Sequence, residues 1–119
     1  MMRMNMNHIF DLLGEEISAV CFVRDYVEFH FDGAILRSLS NPIILIQGVE
    51  HRFPEPGSRD ALCKLIGSTV GDVTVEESQA LKVTTTDGSK ITIPLDNSHL
   101  RGSEAMHFVP YLNGPIQVW

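Results

Sequence analysis

The chain has 119 residues, of which 44% are apolar and 20% charged, with a formal net charge of -6. That length suits one domain and buries enough surface to fold without a metal or disulfide staple, and the apolar share excludes disorder of the whole chain. The 9 Lys and Arg are scattered with no two adjacent, which argues against nucleic acid, whereas an acidic surface serves solubility and is also compatible with a basic protein partner.

The first six residues carry four Met, so the natural start is open. They contain no apolar run of signal-peptide length, and no stretch approaches the ~20 apolar residues of a membrane span. A cytoplasmic location is the expectation. Cys21 and Cys63 are read as free, packed thiols rather than a disulfide.

Asn7 is placed to cap one or two helical turns over His8 to Leu13, with Ile9, Leu12 and Leu13 on one face. Gly14 stands where a left-handed C-cap is wanted. Ile17 to Val23 reads as a strand, Arg24-Asp25 as a short reversal, and Tyr26 to Phe31 as the next strand. Asp32-Gly33 is a hairpin signal. A two-residue loop sets Phe31 against Ala34, Phe29 against Leu36 and Glu28 against Arg37, with Val27, Phe29 and Leu36 inside.

Asn41-Pro42 breaks the following strand. Ile43 to Gln47 resumes it, Gly48 reverses it, and Val49 to Phe53 returns. The Pro- and Gly-bearing stretch Phe53 to Ser58 is a loop that divides the chain. Ser58 then caps a second short helix, Arg59 to Ile66, which Gly67 ends. Thr69 to Val75 is a strand. Leu81 to Thr85 and Ser89 to Pro94 form another hairpin, in which apolar facing requires a three-residue turn, Thr86-Asp87-Gly88, with Gly88 left-handed in a bulge. That register sets Val83 against Ile91 and Leu81 against Ile93. Asp96 to Ser103 is irregular, and Ala105 to Tyr111 is a strand. Asn113-Gly114 is a turn, and Pro115 to Trp119 closes the sheet with Ile116 alternating against Val118. Trp119 is expected to cover the core edge.

Two portions of the chain echo each other. Leu12-Leu13-Gly14 matches Leu65-Ile66-Gly67; Ile17, Val20 and Phe22 match Val70, Val73 and Val75; the Asp-Gly turns match in order. The single domain, 1–119, is therefore read as an internal duplication of 7–53 and 58–119 with loop 53–58 between. The fold class is mainly β (α+β). Each half has a short helix and about five antiparallel strands, and the halves pack about a pseudo-two-fold axis into a twisted sandwich or part-open barrel.

The pattern of an LxG element, a strand pair closed on a Gly turn, and a terminal xVW resembles a family of small uncharacterised bacterial domains. The second half, from Leu65 to Trp119, carries most of the resemblance. The family's Glu-x-Trp is here Glu104-Ala105-Met106. The resemblance implies no activity and no catalytic residues, and associates such domains with immunity proteins of bacterial toxin systems.

Catalytic chemistry is sparse. His8, His30, His51, His99 and His107 make no HxH, HExxH or Cys-x-x-Cys spacing, although His99 and His107 could meet in space. His30, opposite Ile35, reads as a half-exposed sheet residue. Cys21 has no local activating group, and Lys64 beside Cys63 points elsewhere on a helix. Glu15-Glu16 and Glu76-Glu77 lie in polar loops, where paired carboxylates are solvated. No phosphate-cradling glycine loop is present. Glu50-His51-Arg52 is the densest charged patch. No catalytic, cofactor or metal residue is assigned. The leading expectation is a non-enzymatic domain acting by protein contact, as an immunity-type inhibitor or a homodimer through exposed strand edges. The rival is a small-ligand binder or enzyme with a pocket between the halves, lined by His30, His99 or His107.

Overall fold

The computed structural model describes residues 8–24, 26–96, 104–111 and 116–119. In chain order the strands are β1 (Ala19–Val23), β2 (Tyr26–His30), β3 (Ile35–Ser38), β4 (Ile43–Ile46), β5 (Val49–Arg52), β6 (Val70–Glu76), β7 (Ala80–Thr85), β8 (Lys90–Pro94), β9 (Met106–Val109) and β10 (Gln117–Val118). They form two antiparallel five-stranded sheets, ordered β1-β2-β3-β9-β10 and β5-β4-β8-β7-β6. Phe29, Leu36 and Phe108 of the first sheet and Ile44, Leu81, Val83, Ile91 and Ile93 of the second are wholly buried in one core. The mainly β reading therefore holds.

Both hairpin registers follow the apolar pattern. Phe29 lies opposite Leu36 and Glu28 opposite Arg37, and the Phe31 N–H donates to Ala34 O across the two-residue Asp32-Gly33 turn (2.8 Å). In the second hairpin Leu81 lies opposite Ile93 and Val83 opposite Ile91. Its turn is one residue longer, with Gly88 at φ +93°. The Ser89 N–H (3.1 Å) donates to the Asp87 carboxylate, as does the Thr85 hydroxyl. These bonds, that of Thr85 foremost, hold the Asp87 carboxyl below its usual range.

The helical segments differ from expectation. One α-helix, α1 (Ser58–Cys63), is present among the described residues, and it is shorter than Arg59 to Ile66. Gly57, left-handed at φ +88°, occupies the N-cap position instead of Ser58. The Ser58 hydroxyl is buried with no hydrogen-bond partner among the described residues. Beyond Cys63 the Leu65 and Ile66 N–H groups bond three residues back, which ends the α geometry. The expected first helix is a 3-10 helix, His8–Leu12. Its three-residue repeat stacks Ile9 and Leu12 inward and leaves Leu13 exposed. Asn7, proposed as its cap, lies outside the described residues. The Asn113-Gly114 turn does too.

Neither sheet belongs to one part of the chain. The first takes β1, β2 and β3 together with β9 and β10; the second takes β6, β7 and β8 together with β4 and β5. Exchanging the numbers of β1 to β5 with those of β6 to β10 turns the order of one sheet into that of the other. Between them, segments 14–17 and 67–70 pair around a bridge from Glu16 to Thr69. The Gly14 N–H donates to Val70 O (2.9 Å) and the Gly67 N–H to Ile17 O (2.8 Å); the Val70 N–H donates to Glu15 O (2.8 Å) and the Ile17 N–H to Ser68 O (2.9 Å). Each bond has a mate in which the two segments exchange roles, so the contact is locally two-fold.

Aromatic contacts join β1, the segment after β5 and α1. Phe22 of β1 stacks on Phe53 with ring centres 6.1 Å apart, and the Arg59 guanidinium of α1 lies 4.9 Å from the Phe53 ring centre. Trp119 packs against the core, as expected. Its backbone N–H donates to Met106 O (2.9 Å), and its carbonyl accepts from the Ala105 N–H (2.6 Å). With Trp119 turned inward, Ile116 and Val118 face out and are exposed.

Candidate functional site: the outer face of the first sheet

Strand alternation sends Val27, Phe29, Leu36 and Phe108 into the core and their neighbours to the other face. The register then aligns one residue from each of four strands. Cys21 lies opposite Glu28, Glu28 opposite Arg37, and Arg37 opposite His107. His30 stands two residues from Glu28 on the same face. Sequence-distant groups thus meet because cross-strand partners sit within side-chain reach.

From Glu28 to His107 the row is joined by hydrogen bonds. Arg37 Nε donates to Glu28 Oε2 (2.7 Å), and His30 Nε2 pairs with Glu28 Oε1 (3.0 Å). On its other side Arg37 reaches His107 Nδ1 (3.1 Å), and His107 Nε2 meets Glu104 Oε1 (2.6 Å). Arginine only donates, so His107 Nδ1 accepts and its proton sits on Nε2, pointed at Glu104. The Arg37 guanidinium also lies 5.9 Å from the Tyr26 ring centre. Only 13% of the Glu28 side chain is exposed. Burial alone would raise its pKa, but the hydrogen bonds and positive charge from Arg37 and His30 outweigh burial and lower it. Glu28 is therefore a fixed carboxylate, held from both oxygens.

Of the five histidines, His30 and His107 are brought into one network through Glu28 and Arg37. This is on the outside of the sheet, not in the interior where a ligand pocket was expected to place them. The interior is packed with large side chains. His30 is half-buried opposite Ile35, as read from the sequence. His8 pairs with Asp11 (3.1 Å), His51 lies opposite Ile44 on β5, and His99 is outside the described residues. Cys63 is exposed at the end of α1 and is not a packed thiol. Cys21 lies mid-strand beside Glu28 and His30. Its sulfur, a Glu28 oxygen and a His30 nitrogen all lie within 4.8 Å of one another, the one such group among the described residues. Glu50 pairs with Arg52 (2.8 Å) and Glu76 with Lys82 (3.7 Å), both at exposed positions.

Comparison with protein-family models, characterised proteins and solved structures gave no match to the chain. No helix among the described residues is long and apolar enough to cross a membrane.

Proposed function

We propose that the chain is a non-enzymatic bacterial domain of the cytoplasm that works by contact with a basic protein, in the manner of an immunity-type inhibitor. The observation that carries this reading is strand β6. It is the seven-residue end strand of the second sheet; segment 14–17 pairs with Val70 at its start, and from Asp72 to Glu76 one side of its backbone is open to a further strand. A register shift between Val70 and Asp72 breaks the regular pairing at its start; from Asp72 to Glu76 the ladder is regular. Val73 turns inward, while Asp72, Thr74 and Glu76 are exposed. A second copy pairing antiparallel about Thr74 would set Asp72 against Glu76, and like charges directly opposite destabilise a sheet. A strand carrying Lys or Arg at those places is favoured over self-association.

The test uses the full chain and the double variant Asp72→Lys, Glu76→Lys, as bait in extract of the source cell. The Glu76 ion pair with Lys82 is exposed, so its loss costs about 1 kcal/mol at most, and melting confirms folding. A basic protein retained by the wild type at low salt and lost from the variant is the expected result. Recovery of chaperones alone, or the same proteins on both baits, sinks the reading. A dimer in light scattering that the variant strengthens would favour self-pairing instead.

We also infer that the chain is a duplication of one unit, 7–53 and 58–119, whose copies have exchanged strands. The reading is supported by the matching strand orders, by the paired hydrogen bonds around Glu16 and Thr69, and by the LxG and Asp-Gly echoes.

A further inference from the structure

We propose that Cys21, Glu28 and His30 form a three-ligand site for a divalent cation of the zinc class on the outer face of the first sheet. The geometry comes from the β1–β2 pairing, which places Cys21 directly across from Glu28, and from strand alternation, which returns His30 to the same face. Two paired strands hold ligands more firmly than a loop would.

The donor set selects the ion. One sulfur, one imidazole nitrogen and one carboxylate oxygen suit a borderline-soft metal, whereas calcium and magnesium take oxygen ligands almost alone. Zinc bonds of about 2.0–2.3 Å in tetrahedral geometry place donor atoms roughly 3.5 Å apart. The three donors here already lie within 4.8 Å of one another, and Glu28 Oε1 is 3.0 Å from His30 Nε2. Closing the site draws the widest pair of donors together by at most about 1.3 Å.

The outer contacts fit as well. Arg37 occupies Glu28 Oε2 (2.7 Å), which leaves Oε1 turned toward His30 and fixes the carboxylate as a single-oxygen ligand. Partners of this kind orient metal ligands and tune their affinity. Three protein ligands leave a fourth position for water or for a group from a bound molecule. The site is distinct from the β6 edge and stands without it.

Cobalt titration of the chelator-stripped full chain tests the site, since thiolate-bound cobalt has a near-ultraviolet charge-transfer band. One cobalt per chain, with that band and the strong visible bands of a four-coordinate ion, both removed by added zinc, is expected. Cys63→Ser should keep the bands and Cys21→Ser should lose the charge-transfer band. His30→Gln should weaken zinc binding at least about tenfold, on the scale of lost supporting contacts in metal sites. Melting of each variant shows that it is folded. The proposal is overturned by a wild type without the bands, by bands that survive Cys21→Ser or vanish with Cys63→Ser, or by unchanged zinc affinity in His30→Gln.

Discussion

Gly33 and Gly88 both close hairpins with positive φ, +92° and +93°, but they do so in turns of different length. In the shorter turn Asp32 and Gly33 are the whole loop. In the longer one Thr86 and Asp87 make the reversal, and Gly88 is the left-handed residue that restores pairing at Ser89. A Cβ built on Gly88 would meet nothing within 4 Å, so space does not require glycine there; the backbone conformation does. Gly88→Val should therefore destabilise by about 1–3 kcal/mol, the range for a residue held in an unfavoured backbone region. A urea titration should show a lower midpoint with an unchanged slope. A midpoint equal to wild type would mean that the turn relaxes and that its register is not fixed by Gly88.

At the scale of elements, hairpins were legible where two constraints agreed. Asp-Gly marked the turn, and the positions of Phe29, Leu36, Val83 and Ile91 fixed which side was inward. The polar row needed a further step. Reading Arg24-Asp25 as a two-residue reversal sets Cys21 opposite Glu28, yet their meeting with His30 is invisible to any search for local metal spacing, because the ligands lie on two strands. In the closing strand Trp119 offers more apolar area than Ile116 or Val118 and takes the inward parity with it. The short helices were legible in place and not in length, since five or six residues hold too few bonds to fix their own ends. Deleting Ile116 to Trp119 tests the closing strand as a unit. It removes the backbone partners of Ala105 and Met106 and uncovers the edge of β9, so aggregation in size-exclusion chromatography is expected. A truncated chain that stays monomeric would show that β10 is dispensable.

For the whole molecule, the sharing of strands between the two sheets decides how stability is distributed. Each part of the chain contributes three strands to one sheet and two to the other, so neither part can bury an apolar face alone. The core joins Phe29 and Leu36 from the first part to Leu81, Val83, Ile91 and Phe108 from the second. The two parts should melt together in one transition. Residues Pro54 to Gly57 in the loop that connects them are exposed, and a break between Glu55 and Pro56 keeps Gly57 with α1. Fragments 1–55 and 56–119 should each be unfolded or insoluble when produced alone. Produced together, they should form a soluble one-to-one complex, because every strand pairing except the chain connection survives the cut. The amide spectrum of that complex should overlay the intact protein away from the break. A fragment with a dispersed spectrum by itself would show that one part holds an independent core. Failure of the pair to assemble would show that the connection is needed to bring the strands into register.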